Sequence, residues 1–117
     1  MLALAYGADN KQLKEGRIAV AQGISGTGSL RLGMQMLSDW YPNKNAKIFT
    51  PSPTWPLHNS LVEIVGRQRG TYRYYDPKTK GLDFNGMLDD MKNAENGSIF
   101  LLHVCAHNPT GVDPTQA

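Results

Sequence analysis

Ser98-Ile99-Phe100-Leu101-Leu102 runs directly into His103-Val104-Cys105-Ala106-His107-Asn108-Pro109-Thr110-Gly111. The apolar run has the composition of a buried strand, and the polar groups follow at its carboxyl end. In open α/β sheets that is where ligands settle. The Asn108-Pro109 step removes a backbone donor and Gly111 admits a positive φ, so the turn has few conformations open to it. Asn108 leaves the strand as an amide that offers both a donor and an acceptor.

The same alternation recurs upstream. Residues 17–22 (Arg-Ile-Ala-Val-Ala-Gln) read as a strand and 23–27 as a turn. A helix is expected over 28–40, with Leu30, Met34 and Leu37 on one face and Trp40 among the core residues. Tyr41-Pro42-Asn43 stops it, because proline disfavours helix in the residue before it. A short strand follows at 47–50, ending at two prolines. A second helix is expected over 57–65, with Leu57, Leu61 and Ile64 or Val65 inward and Gly66 closing it. Residues 71–75 are rich in strand formers. Asp83 is placed to cap a third helix whose apolar face is Phe84, Met87, Leu88 and Met91. Asn96-Gly97 turns the chain into the last strand. Strand-helix repetition with short links predicts an α/β fold, its strands mostly parallel.

Composition narrows the function classes. The net charge of +2 is too small to point to nucleic acid, and no Lys/Arg run exceeds two residues. Arg67, Arg69 and Arg73 are the nearest approach to a basic patch and read as a solvated helix end and strand edge. The single cysteine excludes an internal disulfide framework and suits a reducing compartment. No apolar run approaches the ~18 residues that span a bilayer, and no signal peptide is apparent. Neither nucleic acid nor membrane is an expected partner.

Three motifs carry chemistry. Gly23-Ile24-Ser25-Gly26-Thr27-Gly28 joins a strand to a helix, and bare amides at a helix N-terminus, helped by its positive dipole end, bind anions. It is neither a P-loop nor a dinucleotide fingerprint, since no Gly-Lys-Ser/Thr follows and Arg31 stands at the third glycine position. The bland alternative is a plain helix start with glycines for packing. Trp55 sits in a proline-locked loop after a strand, where a flat ring can stack on a planar ligand or simply cover a helix. His103, Cys105 and His107 alternate, which on a strand would put them on one face. Three such ligands splay poorly for a tetrahedron and no second cluster offers a fourth, so a metal is not expected.

Taken in order along the chain, these segments resemble the aspartate aminotransferases of the class I pyridoxal-phosphate family. The residues that carry the resemblance are Ser25-Gly26-Thr27-Gly28-Ser29-Leu30-Arg31, Pro51-Ser52-Pro53-Thr54-Trp55 with His58, Tyr72 to Pro77, Gly81-Leu82-Asp83-Phe84, and Leu101 to Gly111. The resemblance implies pyridoxal 5'-phosphate as cofactor, with Ser25, Gly26 and Thr27 on its phosphate and Trp55 stacked on its ring. Asn108 is implied on its phenolic oxygen, and His58 and His103 behind the contact residues, orienting an aspartate paired with the pyridine nitrogen. Trp55 and Asn108 also reach the substrate. The Ser52-Pro53 and Asn108-Pro109 bonds match positions that are cis in the family. The implied activity moves an amino group between L-aspartate and 2-oxoglutarate in a homodimer, and the compartment is left open.

Family members are three to four times longer, so the 117 residues are expected to be an internal piece of the large cofactor domain. The end at Ala117, just after Asp113-Pro114-Thr115 as a helix start, supports that expectation. The Schiff-base lysine, the aspartate on the pyridine nitrogen and the substrate arginines have no match here. Lys11, Lys14, Lys44, Lys47, Lys78, Lys80 and Lys92 all read as surface charge. Two expectations follow: the chain alone is inactive, or, as the alternative, it is a non-catalytic chain that only associates with full-length subunits.

Overall fold

The computed structural model describes residues 2–103 and 105–115. In chain order the elements are α1 (Leu2–Tyr6), α2 (Lys11–Lys14), α3 (Ser25–Trp40), β1 (Ile48–Ser52), α4 (Pro56–Ile64), β2 (Arg69–Arg73), β3 (Tyr75–Asp76), β4 (Gly81–Leu82), α5 (Phe84–Asn93) and β5 (Ile99–Phe100). β2, β1 and β5 form one sheet in that order, and both pairings are parallel. β3 and β4 make a small antiparallel ribbon. The α/β class with parallel pairing is therefore as expected. No helix among the described residues is long and apolar enough to cross a membrane.

Side chains alternate across the sheet and divide the core in two. Ile48, Ile99 and Leu101 point to a layer with Met34 of α3 and Leu61 and Val62 of α4. Phe49 and Phe100 point the other way, towards Tyr72, Tyr74 and Met87 of α5. Their rings stack at 4.9 Å. Gly70 faces Phe49 so closely that a Cβ there would lie 2.5 Å from the ring, so glycine is required in β2. Pro51 lies within the central strand. Phe49 carbonyl accepts from Leu101 N at 2.9 Å, so Pro51, two residues on, turns its missing donor to the β5 side beyond that ladder.

Helix boundaries follow local chemistry. Asp83 accepts from Gly86 N at 2.9 Å, the expected cap of α5. Gly66 ends α4 at φ 71° and Gly97 turns at φ 85°. Phe84 departs from the expected inward face of α5 and is exposed.

Several expectations are corrected. Residues 17–22 form no strand; Val20 is exposed, and among the described residues no neighbouring strand pairs with them. An apolar run becomes a strand only where a partner takes its amides. α3 begins at Ser25 rather than Gly28. Trp40, read as core, is 81% exposed because it closes α3 on the face away from the sheet. Arg67, read as solvated, is only 6% exposed and donates to four carbonyls. Asp113 starts no helix through Thr115; it binds a loop instead. Val104 and Ala117 lie outside the described residues.

Candidate functional site

β1 and β5 run side by side, so the segments that follow them emerge at the same sheet edge. After β1 the chain passes the cis Ser52-Pro53 bond and reaches Trp55, which serves as the N-cap position of α4. α4 then lifts His58 back beneath the loop, buried, with Nδ1 2.7 Å from Thr54 Oγ1. After β5 come His103 and the turn through the cis Asn108-Pro109 bond. Both proline bonds match the expected positions.

The two segments lock together through aromatic rings. Trp55 meets His58 edge-on at 5.5 Å, and His58 meets His103 edge-on at 4.8 Å. His103 stacks on His107 at 4.3 Å, and His107 on Tyr74 at 3.8 Å with 12° between the planes. Asn108 N donates to His103 Nδ1 at 3.2 Å. Neutral His103 therefore carries its proton on Nε2, which lies 3.4 Å from His58 Nδ1. Trp55 and Asn108, distant in sequence, are tied to one edge by this row, and the Asn108 side chain remains exposed.

The row is kept neutral. Burial lowers His58 to about 4, and the neighbouring His103 and His107 reinforce it. Burial also lowers His103 and His107, although the Asp113 carboxylate pulls both the other way. Asp113 itself is held below the usual carboxylate range by the amides of His107 and Ala106, at 2.9 and 2.8 Å. Tyr74 is pushed up by burial and by Asp113, so its hydroxyl stays protonated and donates to Val112 carbonyl at 2.7 Å.

The expected anion turn sits differently. Ser25, Gly26 and Thr27 form the first turn of α3; Ser25 has φ 59°, and the N-cap Ile24 makes no side-chain cap bond. The first amides of the helix thus face outward with the positive end of its dipole. Gly26 and Ser29 line a groove of about 450 Å³ with Leu101 and Leu102, which places this turn at the carboxyl end of β5. No hydrogen bond among the described residues joins it to Trp55 or Asn108.

The strand-face arrangement of His103, Cys105 and His107 does not form. The chain bends at Cys105 and Ala106, the latter at φ 53°, leaving Cys105 exposed while the two imidazoles stack face to face. Stacked rings cannot both aim lone pairs at one ion. Among the described residues no group of three His, Cys, Asp or Glu side chains could hold a metal. Thr54, Tyr74 and Asp113, which also contact the row, were not singled out as site residues in the sequence, and His107 was weighed only as a metal ligand. The i, i+4 spacing of Thr54 and His58 across a helix start is a signal that could have found the first.

Comparisons with known proteins complete the description. A family model for aminotransferase class I and II matches residues 2–117. Aspartate aminotransferase 1 of Medicago sativa is 50% identical over 112 residues, covering 96% of this chain and 26% of that protein. Among solved structures, the cytoplasmic aspartate aminotransferase of Saccharomyces cerevisiae superposes with a TM-score of 0.85 at 39% identity, over 97% of this chain and 27% of that one. The aromatic-amino-acid aminotransferase of Burkholderia pseudomallei, covalently bound to pyridoxal phosphate, gives a TM-score of 0.85 at 40% identity, over 97% of this chain and 28% of that one. The chain spans about a quarter of the length of the relatives it matches. Similar relatives are named as mitochondrial, cytoplasmic and chloroplastic, so similarity selects no compartment.

Proposed function

Since this chain belongs to the class I and II aminotransferases, we propose that it is part of the large pyridoxal-phosphate-binding domain of an aspartate aminotransferase. The reaction passes an amino group between L-aspartate and 2-oxoglutarate, giving oxaloacetate and L-glutamate, in a homodimer. The observation that carries the reading is the histidine row that ties Trp55 and Asn108 to one sheet edge. The uncapped start of α3 at the carboxyl end of β5 supports it.

The donors present suit the cofactor. Ser25, Gly26 and Thr27 would hold a phosphate through outward amides and hydroxyls, where the helix dipole favours negative charge. Trp55, half-buried, has a ring suited to stacking on a flat heterocycle, worth about 1 kcal/mol beyond burial. Asn108 would donate its amide to a phenolic oxygen and favour the ionised form. His58 and His103 form a neutral, hydrogen-bonded backing that keeps Trp55 and the Asn108 backbone in place. Bound pyridoxal phosphate supplies the electron sink that lets an amino group leave one acid and join another.

The test is a coupled assay of the intact protein, with oxaloacetate formed from aspartate and 2-oxoglutarate expected only with pyridoxal phosphate present. Absence of turnover with saturating cofactor would end the reading. The 117 residues alone are expected to be inactive, because none of the seven lysines matches the family lysine; measurable turnover by them would refute that part. A second reading, a non-catalytic chain that pairs with full-length subunits, draws on Leu32, Met36 and Trp40, which leave α3 with an exposed apolar side. Copurification with active subunits would favour it, and a clean monomer would not.

A further inference from the structure

His107 is the most enclosed polar side chain of the row, 1% exposed, and nothing in the proposed chemistry uses it. Its surroundings allow it little freedom. One face lies on Tyr74 at 3.8 Å and the other on His103 at 4.3 Å. Its Nδ1 shares a hydrogen bond of 2.8 Å with Thr110 Oγ1, and its backbone N donates to Asp113 Oδ1 at 2.9 Å. Tyr74 in turn is tied to Val112. The ring is a fixed wall.

What that wall supports is His103. A histidine ring can turn over about its terminal torsion, exchanging Nδ1 for a carbon that accepts nothing. In the observed orientation Nδ1 receives the Asn108 backbone N–H. Turned over, His103 would release that amide, and the loop bearing Asn108 would lose its inner tether. His58 meets His103 only edge-on, so the flat restraint comes from His107.

We propose that His107 is a positioning residue: clamped between Tyr74 and His103, it holds His103 in the neutral Nε2–H form with Nδ1 on the Asn108 backbone, and thereby sets where Asn108 presents its amide. The inference rests on the reading of Asn108 as a cofactor-facing residue. The burial that keeps all three imidazoles neutral is consistent with it. The titratable groups facing His103 are His58, His107 and the Asp113 carboxylate.

The experiment is ¹⁵N–¹H imidazole spectroscopy of the intact protein without cofactor at neutral pH, followed by titration with pyridoxal phosphate. Wild-type His103 is expected as a single Nε2–H tautomer. H107N keeps a polar group for Thr110 but removes the ring; His103 should then show a tautomer mixture and titrate nearer to its ordinary value. The cofactor dissociation constant should rise at least about fivefold, as for coupled residues in one network. H107F keeps the stack and should restore the single tautomer and bring affinity back within about twofold. A wild-type His103 with its proton on Nδ1, or an H107N protein whose His103 is unchanged, overturns the role. Should H107N not fold, wild type and H107F still decide, an Nδ1–H form in either overturning it. Failure of every variant and the wild type to bind pyridoxal phosphate refutes the functional reading instead, and the tautomer measurement still judges His107.

Discussion

At the amino ends of β1 and β2 the cations of Arg67 and Lys44 close the structure, whereas at the carboxyl ends of β1 and β5 buried neutral rings lie behind uncapped amides that face outward. The guanidinium of Arg67, just before β2, donates to Asn43 and Lys44 carbonyls at 2.8 and 2.7 Å, and to Leu37 and Ser38 at 2.7 and 3.1 Å. It thus satisfies the last carbonyls of α3 and the turn into β1, where a cation also suits the helix dipole. The opposite end of α3 has no cap at all. One helix is fastened at its negative end and open at its positive end. Hydrogen bonds gather at the fastened end, and the open end is left without a side-chain cap.

Breaking the fastened end should have the largest effect. Arg67→Ala removes a buried guanidinium on which four carbonyls converge, leaves that of Lys44 with no other donor among the described residues, and should cost about 3 kcal/mol, read as a lower urea midpoint. Cofactor affinity of the folded fraction should be unchanged within about twofold. A cofactor defect without a stability loss would reverse the contrast between the edges.

Acid should loosen the other edge. His58 falls from 6.5 to about 4 on folding, chiefly by burial, and His103 and His107 also fall. The folded state therefore binds fewer protons than the unfolded chain in that range. Stability is fully present above pH 6.5 and is lost as pH drops through about 4. The loss should be on the order of 2 kcal/mol, allowing for water that reaches the rings. Urea unfolding from pH 7 to pH 4 checks this; a flat profile would mean the row is already protonated or solvated. Asp113→Ala comes next, at about 1–2 kcal/mol, since it strands the amides of Ala106 and His107. Amide exchange at those positions should rise while β1 and β2 stay protected.

How much of this was legible in sequence depends on which edge is considered. The parallel α/β plan, Asp83 as a cap and Gly66 and Gly97 as turns follow from local chemistry, which the chain writes within a few residues. Family resemblance groups Trp55, His58, His103 and Asn108, and the structure joins them in one row. Arg67 was not legible, because its partners are carbonyls 23 to 30 residues away and carbonyls leave no trace in side-chain pattern. Residues 17–22 carry the composition of a strand, but a strand is a relation between segments and its partner is not among the described residues. His107 was weighed as a ligand on an assumed strand face; the bend at Ala106, an unusual φ for alanine, turned it inward against Tyr74.

The smallest stability effect should come from the end of α3 that is open. Ser25 and Thr27 are exposed, and neither side chain bonds a backbone amide of the helix. Replacing both by alanine should therefore move the urea midpoint by less than about 0.5 kcal/mol. Their worth should appear only when an anion arrives: hydrogen bonds to charged groups contribute about 1.5–3 kcal/mol each. The S25A/T27A protein should then bind pyridoxal phosphate at least about tenfold more weakly, with pyridoxal, which lacks the phosphate, bound as before. Equal weakening for both compounds would mean the turn shapes the site generally and recognises no phosphate. Weakening confined to the phosphate form, at unchanged stability, would show that one helix divides its two ends between recognition and support.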